Sequence, residues 1–427
     1  MVLWVLLGGM GLFLLLNVPV GISIALAVML YIYFLGSVPM KFLAQNLFTA
    51  CDSFPLMAIP FFILAGSLMK EGGLSKRLVA LAEALIGYVP GGFAFVTILS
   101  CMFFGAVSGS SPATVAAIGS IMIPAMVERG YSKEFATALA AASGGLGVII
   151  PPSIPMVVYG VATGASIGKM FLGGFGPGVV FGGALMVLSY FVAKKAGYVG
   201  SGEKFSIKKV LIAFKDAIWA LMIPLVILGG IYSGVFTPTE ASVVAVFYGF
   251  FVGKFVYKEL SWRDTIEALK DTAVMVGTIL IILGAGTAFA KVLTIEGIPD
   301  KIVAMFQALT QNKLVLLLLI NILLLIVGCV METLSAILIL GPILYKVVEG
   351  YGVDLIHFGI IMVVNLAIGF ITPPVGVNLF VACGLTGMSF DVLSKAIFPF
   401  VIALIFALFV ITYVPSITMF IPKLLGY

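Results

Sequence analysis

The sequence predicts an all-α polytopic membrane protein made of two inverted repeats, each of about five crossing helices plus one re-entrant helical hairpin. Three observations carry that prediction. The chain of 427 residues is 62% hydrophobic and only 10% charged, whereas a soluble domain carries about 25% charged residues. Its apolar runs recur at roughly the 20-residue length a helix needs to cross hydrocarbon. Gly, Ser and Pro interrupt this apolar sequence in both halves, in the same order.

Residues 2–16 and 18–35 are apolar runs parted by Asn17-Val18-Pro19, which reads as a turn between two crossings. A third span, 55–69, follows Asp52-Ser53-Phe54-Pro55. The polar interval from Lys70 to Arg77 leads into an amphipathic piece at 74–88, whose mixed faces suit the membrane surface. Segments 91–108 and 113–127 are each too short to span, so the Ser/Gly tip between them makes a re-entrant hairpin over 91–127. Residues 135–164 form one crossing broken at Pro151-Pro152, and 169–193 cross again. No Lys or Arg precedes Lys41, so Ala25-Leu26-Ala27 lacks the basic flank of a cleavable leader and the first segments are expected to be retained spans.

A basic, Gly-containing linker at 194–216, with Lys194, Lys195, Lys204, Lys208, Lys209, Lys215, Gly197, Gly200 and Gly202, separates repeat 1 (1–193) from repeat 2 (217–427). The second half gives spans near 217–234, 239–257 and 271–293 and a surface piece near 299–309. A hairpin follows over 314–348 with arms 314–331 and 334–348, then a broken crossing at 355–384 and a final span at 391–418. Pro19 and Ser23 correspond to Pro238 and Ser242, Gly130-Tyr131 to Gly350-Tyr351, Pro151-Pro152 to Pro373-Pro374, and Pro177 to Pro399. An odd number of crossings per half makes the second repeat enter the membrane from the opposite side. Placing the linker in the cytoplasm puts 16 of the 23 Lys and Arg residues on that side, the expected positive-inside bias. Both termini are then periplasmic.

Composition also excludes classes. The net charge of +5 comes from Lys in short loops rather than from a basic face, so no nucleic-acid partner is expected. Cys51, Cys101, Cys329 and Cys383 stand apart without metal or redox spacing and read as small buried residues. There is one histidine, His357, expected at the outer surface, and no HExxH, so neither an enzyme nor an organic cofactor is indicated. Lys291 is expected to snorkel out of the apolar region.

The breaks carry the functional reading. In hydrocarbon, a backbone group without its helical partner costs several kcal/mol unless it is buried in protein or lines a polar cavity. Paired broken helices in corresponding halves therefore mark a transporter site. At the first tip, Ser110 and Ser111 before Pro112 are arranged as a helix N-terminus, which aims N–H groups and a positive dipole end at the membrane centre, suited to an anion. Hydroxyl and carbonyl oxygens nearby suit a hard cation such as Na+. Ser108, Ser110, Gly147, Ile150 and Pro152 are the candidate ligands of one Na+ site, and Gly328, Glu332, Thr333, Gly369 and Thr372 those of a second. Ser111, Thr114, Ser153 and Asn378 are candidate substrate contacts. Glu332 has three readings: cation ligand, proton carrier, or cap of the second returning arm. No metal other than sodium is expected.

The segments Gly105-Ala106-Val107-Ser108-Gly109-Ser110-Ser111-Pro112-Ala113-Thr114, Gly147 to Pro155, Gly328 to Thr333 and Thr372-Pro373-Pro374 resemble the large membrane subunit of TRAP transporters, the DctM-like permeases, over essentially the whole chain. Within that family the chain looks closest to the sialic-acid permeases. The resemblance implies Na+-driven secondary transport by an elevator motion in a bacterial inner membrane. It implies as partners a small four-helix membrane subunit and a periplasmic protein that delivers an organic carboxylate substrate. The chain lacks the four extra helices, so the small subunit is expected as a separate polypeptide. Two cations fit the energetics: one Na+ with a monoanion moves no net charge, whereas two move one charge, worth about 2.3 kcal/mol per 100 mV. The alternatives are a stand-alone Na+/dicarboxylate symporter, which would transport without the binding protein, and a channel, which would conduct without coupling.

Overall fold

The computed structural model describes residues 2–36, 38–200 and 204–426, and among these every regular element is a helix. Gly202 of the linker lies outside the described residues. Helices α1 (Val2–Leu15) and α2 (Val20–Leu35) join through a turn in which Asn17 takes a φ of 60°, a conformation Asn tolerates better than most residues. Helix α3 (Lys41–Thr49) was not foreseen, because Lys41, Gln45 and Asn46 break up its hydropathy. Next come α4 (Ala58–Glu71), the amphipathic α5 (Leu74–Ile86), and the hairpin arms α6 (Gly92–Ser108) and α7 (Ser111–Glu128). The predicted broken crossing is a bent helix made of α8 (Lys133–Ser143), the single turn α9 (Leu146–Ile149) and α10 (Ile154–Thr163), bent by 42°. The 30-residue α11 (Ile167–Ala196) follows.

After the linker, α12 (Ile207–Tyr232) and α13 (Pro238–Phe251) are joined at a capping box in which Thr237 and Glu240 exchange side-chain and backbone hydrogen bonds. A second capping box, Ser261 with Asp264, starts α14 (Trp262–Ile295) nine residues ahead of the predicted 271–293 span. Then α15 (Ile298–Leu309) leads to the second pair of arms, α16 (Lys313–Val330) and α17 (Thr333–Glu349), and to α18 (Leu355–Gly369) and α19 (Val377–Thr386), the helices of the second break.

The predicted single span 391–418 is instead three helices, α20 (Phe390–Ala396), α21 (Phe398–Tyr413) and α22 (Pro415–Leu424). Gly387, at φ 66°, ends α19 ahead of a 117° turn into α20. Pro415 has no N–H to continue α21, and the chain bends 55° there. Among the described residues, seven helices are long and apolar enough to cross a membrane, or up to ten if each bent pair is one span. The outward apolar side chains, among them Phe247, Ile326 and Phe406, are those of a multi-pass membrane protein.

Packing places the breaks at the centre. Helix α4 lies along α13, α1 and α14 pack on α2, α16 packs on α18, and α11 packs on α21 and α22. The main buried cluster runs through α6, α7, α8, α10 and α18, while a smaller one gathers α1, α2, the last turns of α14 and part of α17. His357, expected at the outer surface, is 3% exposed, and its Nε2 lies 3.2 Å from the carbonyl of Thr412. It sits in the first turn of α18, where that helix meets α21, so apolar neighbours cover it. Lys291 donates to Asn46 Oδ1 at 2.6 Å, a partner supplied by the unforeseen α3.

Candidate functional site

The breaks follow from paired prolines. A proline removes the N–H that would serve the carbonyl four residues earlier. Pro151 and Pro152 thus release the carbonyls of Gly147 and Val148, and Pro373 and Pro374 release those of Gly369 and Phe370. Val148 recovers a donor from Ser153 Oγ at 2.5 Å, and Phe370 from the backbone N–H of Asn378 at 2.9 Å. Gly369 is served at short range by the N–H of Thr372 at 3.1 Å. Pro151 leaves the carbonyl of Gly147 without that helical bond.

The first hairpin tip closes over this break. The N–H of Ile154 donates to the carbonyl of Gly109 at 3.2 Å. Glycine is required there: Gly109 has φ +62°, and a Cβ on it would lie 2.9 Å from the carbonyl oxygen of Pro152. Ser108 Oγ lies 2.9 Å from Thr114 Oγ1, which donates to the carbonyl of Ser110 at 2.8 Å. A Cβ on Gly147 would run into Thr114 Oγ1 and the carbonyl of Ser110. Of the first predicted cation set, Ser108, Ser110 and Gly147 therefore share one spot, joined by Thr114. Pro152 abuts the tip through its carbonyl, while the side chain of Ile150 turns away onto Gly178.

In the second half, Gly328 and Gly369 bring their backbones into contact. Glu332 is the N-cap of α17: its carboxylate accepts from the N–H of Leu334 at 2.8 Å and of Ser335 at 3.1 Å. Ser110 occupies the N-cap position of α7 without a side-chain cap bond. One tip thus carries its own carboxylate and the other does not. Gly328, Glu332, Thr333 and Gly369 line a cavity of about 690 Å³ beside the α1–α2 turn. Thr372 lies outside that lining, with its Oγ1 donating to the carbonyl of Ile368 at 2.8 Å.

A second cavity, of about 490 Å³, lies between the two tips and both breaks. Residues 109–112 of the first tip, Glu332 to Leu334 of the second, Ile154 and Pro155 of the first break and Phe370 and Val377 of the second all line it. One face of α14 forms its remaining wall. Ser111 is the predicted substrate contact on that lining. Thr114, Ser153 and Asn378 are fully buried, with side chains turned into protein. Asn378 Nδ2 donates to Ser111 Oγ at 2.8 Å and to the carbonyl of Ala141 at 3.0 Å, which ties the second break to the first hairpin. The α14 face escaped the sequence reading, which treated 271–293 as an ordinary span. Its signal was a polar Asp271 and Thr278 at helical spacing on one side.

A helical membrane protein with two hairpin tips and two broken helices around a common cavity has the architecture of a membrane transporter. Its fold is similar to that of the YdaH transporter of Alcanivorax borkumensis, with a TM-score of 0.61 at 17% identity, covering 91% of this chain and 89% of that one. MtrF of Neisseria gonorrhoeae gives a TM-score of 0.60 at 12% identity, over 87% of this chain and 83% of that one. The chain belongs to the DctM family, the DctM component of tripartite ATP-independent periplasmic transporters, whose sequence model matches residues 7–417. It is 51% identical to the isethionate TRAP transporter permease protein DctMQ of Oleidesulfovibrio alaskensis, over 97% of this chain and 66% of that protein, so it spans just under two thirds of that relative. It is 41% identical to the C4-dicarboxylate large permease DctM of Rhodobacter capsulatus, over 96% of each chain. The sialic-acid large permease SiaM of Vibrio cholerae stands lower, at 37% over 96% of each chain. The chain is thus a permease of a bacterial inner membrane rather than an enzyme.

Proposed function

We propose that this chain is the large permease subunit of a Na+-coupled tripartite transporter that imports a small organic anion, a carboxylate in the first instance. A periplasmic binding protein delivers the substrate, and a separate small four-helix membrane subunit completes the membrane part. Two inverted repeats, 1–193 and 217–427, carry the hairpins in from opposite faces, and an elevator motion moves the breaks and tips against the remaining helices. The observation that carries this reading is the cavity shared by both tips and both breaks, with the carbonyl of Gly147, which loses its helical bond at Pro151, close behind the first tip against Ser110 and Thr114. The Gly147 carbonyl and the Ser108–Thr114 hydroxyl pair suit one Na+. Gly328, Glu332, Thr333, Gly369 and Thr372 are proposed for a second, and the uncapped start of α7 suits the anion. The relatives' names include an isethionate, C4-dicarboxylates and sialic acid, so they leave the substrate's charge open.

The test is uptake into proteoliposomes holding the permease and its small subunit, with the binding protein outside and an imposed Na+ gradient. Ser108→Ala and Ser110→Ala are expected to abolish Na+-dependent uptake while the protein remains folded. Full activity in both variants would overturn the first cation site. Uptake without the binding protein would instead favour a stand-alone symporter.

A further inference from the structure

The cavity between the tips has an uneven charge inventory. Six residues of α14 line it, Asp271, Val274, Met275, Thr278, Ile279 and Ile282, spaced by three and four so that they share one helix face. Asp271 and Glu332 are its two ionisable lining residues, and no Lys, Arg or His lines it among the described residues. Glu332 is already committed to the N–H groups of its own helix, so it holds the place an anionic group would take at the second tip. Asp271 is exposed at the cavity edge and makes no hydrogen bond or ion pair among the described residues. An unbalanced carboxylate facing a cavity repels a second anionic group and accepts a hydrogen bond from a donor.

Resting on the reading of this cavity as the substrate site, we infer that it selects small monoanions, carboxylate or sulfonate, whose far end carries a hydroxyl or amine, and that Asp271 and Thr278 of α14 impose that choice. The single anionic group lies toward residues 109–112. The donor end lies against α14, with the apolar wall of Val274, Met275, Ile279 and Ile282 along the short chain between them. A dianion would set its second charge against Asp271. Because Asp271 is exposed at the edge, water and salt screen part of that repulsion, and the preference it imposes falls as ionic strength rises.

The experiment uses the purified full chain together with its small membrane subunit in nanodiscs with Na+ present, and calorimetric titration with three probes: 3-hydroxypropanoate, propanoate and succinate. In the unaltered chain, 3-hydroxypropanoate is expected to bind at least about tenfold more tightly than succinate, equivalent to about 1.4 kcal/mol, with propanoate between them. Asp271→Asn should narrow the gap to succinate by about tenfold. Thr278→Val should lower affinity for 3-hydroxypropanoate and leave propanoate unchanged. Equal binding of succinate by the unaltered chain, or an unchanged ratio in Asp271→Asn, overturns the inference. If a folded chain binds none of the three, the reading of the cavity as the substrate site falls, and this inference with it. Circular dichroism and gel filtration confirm folding in each variant.

Discussion

Asn378 shows how a single side chain can hold two distant segments in register. It is fully buried, exchanges hydrogen bonds with Ser111, and donates to the carbonyl of Ala141. Removing it leaves a hydroxyl and a carbonyl without those partners in an apolar interior, which costs about 1–3 kcal/mol. Asn378→Ala should therefore lower thermal stability in detergent by that order, and Ser111→Ala should cost less, because Asn378 keeps Ala141. A double variant whose loss equals the larger single loss would show that the two residues act as one unit. Equal, additive losses would show that they do not. The sequence marked both residues as candidate substrate contacts, and of the two it is Ser111 that lines the cavity between the tips. Which of a pair of polar residues faces a ligand and which faces the other depends on how α19 meets α7 and α8, and no local pattern encodes that.

At the scale of elements, the amphipathic α5 is held at its start by Arg77. The guanidinium reaches Glu259 Oε1 at 2.7 Å, lies 3.5 Å from Asp216, and stacks over the Tyr257 ring at 3.7 Å. Three segments thereby converge on one side chain. Partial burial by itself would raise the Glu259 carboxyl, but the hydrogen bond and charge of Arg77, with the charge of Lys76, hold it below the usual carboxylate range. A lowered folded-state value contributes stability above the ordinary carboxylate pKa near 4.3, and that contribution is lost as pH falls through the folded value. Melting temperature should therefore drop as pH falls below about 4.3. Glu259→Gln should start lower at neutral pH and show a smaller acid-induced drop, and an identical pH profile would exclude this contact as a source. The positions of the helix interruptions near 109–110, 150–153, 331–332 and 370–376 were legible because Gly, Ser and Pro leave few ways to satisfy a backbone in lipid. Helix α3 and the division into α20, α21 and α22 were not: Lys41, Gln45 and Asn46 mask α3, and Pro399 and Pro415 lie within and just beyond the apolar stretch 396–411 without a drop in hydropathy that marks a boundary.

For the whole molecule, the apolar composition fixed the class and the order of interruptions fixed where to look for a site. The wall supplied by α14 depends instead on packing between elements far apart in sequence. If the repeats are inverted as proposed, both ends of the chain face the periplasm. Alkaline phosphatase fused after the last residue should then be active, and the same fusion placed in the 194–216 linker should be inactive. The reverse pattern would refute the assigned orientation.

The bond between Asn378 and Ser111 joins residues 267 positions apart, which has a consequence for biogenesis. A ribosome inserting this protein releases the first hairpin into the bilayer long before its mate is made. Until α19 emerges, Ser111 and Ala141 must be shielded by water, lipid headgroups or the insertion machinery. Nascent chains halted before residue 378 are accordingly expected to be poor tenants of the membrane and ready prey for quality-control proteases.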